Sequence, residues 1–86
     1  MSLTPEILAG YIEKGLACRH LEVQGDGSHF FAVIVSEAFA GLRPIQRHQK
    51  VYGALGERMR EEIHALSMKT LTPEEWEQAG RPGVQV

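Results

Sequence analysis

The chain reads as one α+β domain, a three-stranded mixed sheet with its helices packed on one face, in the order α-β-β-α(α)-β-α. Three observations carry that reading. Apolar residues recur at helical spacing after Pro5 and again after Pro44. They alternate with polar residues around Leu21 and Val23, then run almost unbroken from Phe30 to Val35. A glycine-rich turn, Gly25-Asp26-Gly27-Ser28, separates those two strand-like runs. The length agrees, because 86 residues that are 43% hydrophobic form one modest core with little room for a deep cavity. A surface site or a partner interface is therefore expected rather than a buried active site.

Thr4-Pro5-Glu6 opens the first helix. Thr4 can cap it, Pro5 suits its first position, and Glu6 sits at the positive end of the dipole. Ile7, Leu8, Tyr11, Ile12 and Leu16 then share one face, with Gly15 near the end. From Arg19 to Gln24 the period changes to two: Leu21 and Val23 face inward while His20, Glu22 and Gln24 face solvent. The turn that follows makes a hairpin with His29 at its tip. The apolar run from Phe30 to Val35 suits a central strand covered on both faces, or one whose outer face a partner completes.

Ser36 to Pro44 is a connection anchored by Phe39 and Leu42. Ile45, Val51, Tyr52, Leu55 and Met59 mark the stripe of a second long helix that runs to Arg60–Glu62. Ile63 to Leu71 returns to strand character, with His64, Leu66, Met68 and Thr70 on one parity. Thr72-Pro73-Glu74-Glu75 opens a short last helix carrying Trp76. Residues 1–86 form a single domain whose tail, about 80–86, is expected to fray.

Composition removes several function classes. A net charge of −2 disfavours non-specific nucleic-acid binding, which depends on neutralising phosphates. The one cysteine, Cys18, excludes an internal disulfide framework and a cysteine-based zinc cage. No apolar run is long enough to cross a bilayer and no signal-peptide pattern opens the chain, so no membrane association and a cytoplasmic location are expected. No phosphate loop, nucleophile with a base, or supported carboxylate pair is present, so the chain is not expected to be an enzyme.

Four histidines draw attention. By spacing alone His29 reads first as a surface loop histidine and His64 as a hydrogen-bonded histidine at the rim of the core. Two imidazoles 35 positions apart match no self-contained metal motif, yet they can supply half of a site that a partner's thiolates complete. His20 is read as solvent-facing and His48 as structural, paired with a nearby carbonyl or carboxylate. Cys18 is read as a small buried hydrophobe. Arg43, Arg47 and Lys50 fall near one surface at the start of the second helix, as a phosphate-contacting edge would, although a solvated face is the simpler account. Gly53-Ala54-Leu55-Gly56 has GxxG spacing without an internal basic residue, and is read as a coincidence.

Taken together, Gly25-Asp26-Gly27-Ser28-His29-Phe30, Phe39-Ala40-Gly41-Leu42, Gln46-Arg47-His48-Gln49-Lys50-Val51-Tyr52, Ile63-His64-Ala65-Leu66-Ser67-Met68-Lys69-Thr70 and Thr72-Pro73-Glu74-Glu75-Trp76 resemble the BolA family. The resemblance covers nearly all of Leu21 to Trp76, and the turn is most similar to the IbaG/YrbA-type bacterial branch. It implies a class II KH-like fold and a heterodimer with a monothiol glutaredoxin bridged by a 2Fe–2S cluster. By that resemblance His64 matches the family's strand-three ligand and His29 matches the loop ligand, in the histidine subgroup. Cys18 does not match the cysteine position of the other subgroup. The glutaredoxin cysteine and glutathione would complete four-coordination, with no cofactor expected in the isolated protein. Neutral imidazole in place of thiolate should raise the cluster's potential. The implied role is iron–sulfur cluster trafficking in iron and stress homeostasis. The rival implied by the family is transcriptional regulation, with DNA contacted through Arg43, Arg47 and Lys50.

Overall fold

The computed structural model describes residues 3–58 and 65–84. Its elements follow the expected order: α1 (Pro5–Gly15), β1 (His20–Gly25), β2 (Phe30–Val35), a 3-10 turn (Glu37–Phe39), α2 (Pro44–Leu55), β3 (Leu66–Leu71) and α3 (Pro73–Gln78).

α1 starts as its sequence dictates. The Ile7 amide donates to Thr4 Oγ1 at 3.2 Å, with Pro5 in the first turn. Leu8 and Ile12 are buried and Leu16 continues their line beyond the helix, while Ile7 and Tyr11 stay partly exposed.

β2 is the central strand. β1 pairs with it antiparallel, with Leu21 opposite Ile34 and Gly25 opposite Phe30. β3 pairs with it in parallel, with Phe30 opposite Leu66 and Val35 opposite Leu71. α2 therefore lies in the crossover that a parallel pair requires. The side chains of one sheet face, including Phe30, Ala32, Ile34 and Leu66, join Leu8, Ile12, Val51 and Leu55 in the main core under α1 and α2.

The opposite face is covered as well, by the chain's own C-terminal part. Val33, Val35 and Leu71 form a second small core with Trp76 of α3 and Val84. This explains the apolar run in β2, because both parities of that strand are inside. The two long helices thus share one face as expected, while α3 adds a cover on the other.

Four local expectations need correction. The tail does not fray through residues 80–84. Trp76 Nε1 donates to the Pro82 carbonyl at 3.0 Å, and the Val84 amide donates to Glu22 Oε2 at 3.2 Å. His20 is not solvent-facing: its ring stacks on Trp76 with centroids 4.5 Å apart, and its Nε2 is buried without a hydrogen bond, 3.7 Å from Glu22 Oε1. α2 ends at Leu55 rather than near residue 60, because Gly56 takes φ 60° and its amide closes on the Tyr52 carbonyl at 3.0 Å. Ile45 is 61% exposed and does not belong to the helix's buried stripe, because it sits in the first turn, off the Val51–Leu55 line. Met59 lies outside the described residues.

Candidate functional site

The hairpin between β1 and β2 places His29. Asp26 organises the turn: its Oδ1 accepts from the Ser28 amide (2.9 Å), the Ser28 hydroxyl (2.9 Å) and the His29 amide (3.0 Å). Those bonds, led by the Ser28 amide, hold the Asp26 carboxyl down to about 2. The Asp26 amide in turn donates to the His29 carbonyl at 3.2 Å. At Gly25 the chain passes so close that any Cβ would collide with the His29 carbonyl and the Phe30 ring. The glycine therefore fixes the path that carries His29 to the end of β2.

The His29 ring is partly exposed and is held on two sides. Its Nε2 lies 3.0 Å from Ser67 Oγ on β3, and its ring rests on Phe31 at 4.7 Å between centroids, tilted by 48°. No hydrogen bond joins Nδ1 to any described residue. Ser67 stands opposite Phe31 across the parallel β2–β3 pair, on the same sheet face. Sequence reading missed Ser67, since only that register brings it to a histidine 38 positions away.

His64 lies outside the described residues. Two positions after it comes Leu66, whose register partner Phe30 directly follows His29. Among the described residues no three histidine, cysteine or acidic side chains gather as a metal site would require.

Cys18 behaves as expected of a structural cysteine. Its Sγ donates to the Leu16 carbonyl at 3.3 Å, it packs against the main core, and burial followed by the charge of Glu13 pushes its thiol up. His48 is half-buried on α2 but makes no hydrogen bond to another described residue, so the pairing expected of it is not found there.

The basic edge is broken up. Arg47 is only 11% exposed at its side chain and is fully engaged. Its guanidinium forms a two-pronged pair with Glu75 (2.6 and 3.1 Å), while Nε donates to the Leu42 carbonyl at 2.9 Å and Nη1 to the Thr70 carbonyl at 3.3 Å. Arg47 is therefore a clamp between α2, β3 and α3, not a phosphate contact. Arg43 and Lys50 remain exposed. No helix among the described residues is long and apolar enough to cross a membrane.

Comparison with known proteins fits this geometry. The model of the BolA-like protein family matches residues 2–75, most of the chain. The chain belongs to the BolA-like family. This BolA-like chain is 46% identical over 74 residues to a protein of Vibrio cholerae named DNA-binding transcriptional regulator BolA, covering 86% of the chain and 67% of that protein. It is 44% identical over 64 residues to the acid stress protein IbaG of Escherichia coli K12, covering 73% and 76%. A BolA homologue of Coxiella burnetii has the same fold, with a TM-score of 0.74 at 44% identity over 87% of this chain and 97% of that one. Several curated relatives are longer, and the chain spans about half of their length, as with the 55% of the Haemophilus influenzae regulator.

Proposed function

We propose that this BolA-like chain supplies imidazole ligands to a 2Fe–2S cluster shared with a monothiol glutaredoxin and glutathione, and so serves iron–sulfur cluster trafficking. One observation carries the reading. His29 stands at the surface on a turn braced by Asp26, with its ring held by Ser67 and Phe31 and one nitrogen unengaged by any described residue. That is the form a protein ligand takes when the other half of a site comes from a partner. His64 is assigned the second ligand role on its place in the sequence, just ahead of the strand that pairs beside His29.

The donor set suits the group. Two neutral imidazoles and two thiolates leave a cluster less negative than four thiolates do, and the cluster would supply one-electron redox capacity at the interface. This chain's part is to hold the imidazoles and to exclude part of the solvent with Phe31, while Cys18 stays out of the ligand set because it packs against the main core with its Sγ on the Leu16 carbonyl.

The experiment is co-purification with a monothiol glutaredoxin, reconstitution with glutathione, and visible absorption and circular dichroism of the complex. His29→Ala and His64→Ala should each bleach or reshape the spectrum. Unchanged spectra in both variants would remove the assignment.

A second reading has its own support, in the name of the Vibrio cholerae relative: DNA binding through Arg43 and Lys50, without Arg47. Binding that survives physiological salt and weakens in an Arg43→Ala, Lys50→Ala double variant would favour it.

A further inference from the structure

The hydrogen bond between His29 Nε2 and Ser67 Oγ has two possible polarities, and they differ in consequence. If the serine hydroxyl donates, Nε2 is the acceptor and Nδ1 carries the proton, leaving the ring with no lone pair for a metal. If Nε2–H donates, the lone pair of Nδ1 points away from Ser67 and is available. The role read for His29 decides between them. Nδ1 has no hydrogen bond to any described residue, and the nearby Asp26 Oδ1 already accepts from the Ser28 amide, the Ser28 hydroxyl and the His29 amide. As a metal ligand His29 can offer only the nitrogen that Ser67 does not hold, so the proton lies on Nε2, and Nε2–H donates to Ser67 Oγ at 3.0 Å.

We infer that Ser67 is the positioning residue of His29: its hydroxyl accepts from Nε2–H, fixes that tautomer, and presents Nδ1 as the ligating atom. Phe31 sets the remaining freedom of the ring by resting against it at 4.7 Å. The inference rests on the reading of His29 as a metal ligand and deepens it by naming the atom and the residue that aims it. The arrangement follows a general habit of metal-bound histidines, whose second ring nitrogen is tied to a hydrogen-bond acceptor. Ser67 is itself exposed, so its substitution leaves the core untouched.

The test begins with the free protein, labelled with 15N and observed by long-range 1H–15N correlation at about pH 8.5, above the imidazole titration range. His29 should show a protonated Nε2 and an unprotonated Nδ1. In Ser67→Ala the two nitrogen shifts should move toward each other as tautomers mix, and Ser67→Thr should restore the separation by restoring the hydroxyl. An Nδ1–H pattern in the native protein, or a tautomer indifferent to Ser67→Ala, overturns the inference. In the glutaredoxin complex Ser67→Ala should then release cluster about 10-fold faster, with Ser67→Thr close to native. A native release rate in Ser67→Ala also counts against it. His29→Ala tests the ligand reading separately: if that variant keeps the native cluster spectrum, the ligand reading fails, while the tautomer result for Ser67 stands.

Discussion

Asp26 is the residue on which the position of His29 depends most directly. One carboxylate oxygen gathers three donors from Ser28 and His29, and losing the charge weakens all three bonds at once. Its folded pKa lies near 2, below the ordinary 3.8. The sign follows: the turn's stabilisation is fully present above about pH 4 and is lost as pH falls through 2. The Ser28 and His29 amide resonances should therefore titrate with a midpoint near 2, and a midpoint near 3.8 would show the bonds to be absent in solution. Asp26→Ala should abolish that titration and speed hydrogen exchange at both amides. Gly25 acts beside it by absence of a side chain. Gly25→Ala should cost about 1–3 kcal/mol in denaturant unfolding, because the new methyl meets the His29 carbonyl and must displace the turn.

At the scale of elements, Arg47 joins α2 to β3 and α3, and its chemistry was hidden in the sequence. An arginine three positions past a helix-opening proline reads as surface charge, since its partner Glu75 is 28 residues away and becomes a neighbour only once the crossover is closed. Glu75 has a second engagement, accepting from the Thr72 amide at 2.9 Å in the capping box of α3. That box was legible from Thr72-Pro73-Glu74-Glu75, and so was the cap of α1 from Thr4-Pro5, because capping is settled within four residues. The early end of α2 was not, because Leu55 continues an apolar stripe that Gly56 interrupts by conformation rather than by polarity. The Arg47 guanidinium holds the Glu75 carboxyl down to about 2, well below 4.5. The clamp thus contributes above about pH 4.5 and fades as pH falls toward 2. Arg47→Ala should lower stability by about 2–3 kcal/mol and flatten the acid limb of the unfolding profile between those values. Glu75→Gln should flatten it likewise while costing less. An unaltered acid limb in both would mean the pair is not formed. A phosphate-contact role for Arg47 would instead predict weaker DNA binding with native stability.

At the scale of the whole molecule, the outer face of the sheet is part covered and part open. The unbroken run from Phe30 to Val35 left two accounts open, a self-covered strand or one completed by another protein. The chain itself settles the upper part of that face: Trp76 and Val84 lie over Val33, Val35 and Leu71, with His20 stacked on the indole. Sequence could not show this, because a tail reading Gly80-Arg81-Pro82-Gly83-Val84 carries turn residues and one valine, the composition of a loose end. Its order comes instead from hydrogen bonds made beyond the tail itself, from Trp76 Nε1 to the Pro82 carbonyl and from the Val84 amide to Glu22. Pro82 to Val84 border a shallow cavity with Phe31 and Ser67, and there the cover thins: Ser67 is exposed, and His29 and Phe31 are partly so. Removing the cover should extend that open surface over the whole face. Trp76→Ala should destabilise by about 2–4 kcal/mol, since it empties the small core and frees the tail together. A chain cut before Gly80 should lose less stability, because Trp76 stays, yet should bind a hydrophobic dye and self-associate with rising concentration. Sedimentation of the cut chain checks this directly. If it stays monomeric and dye-silent, the tail is dispensable, and β2 was covered well enough by Trp76 alone.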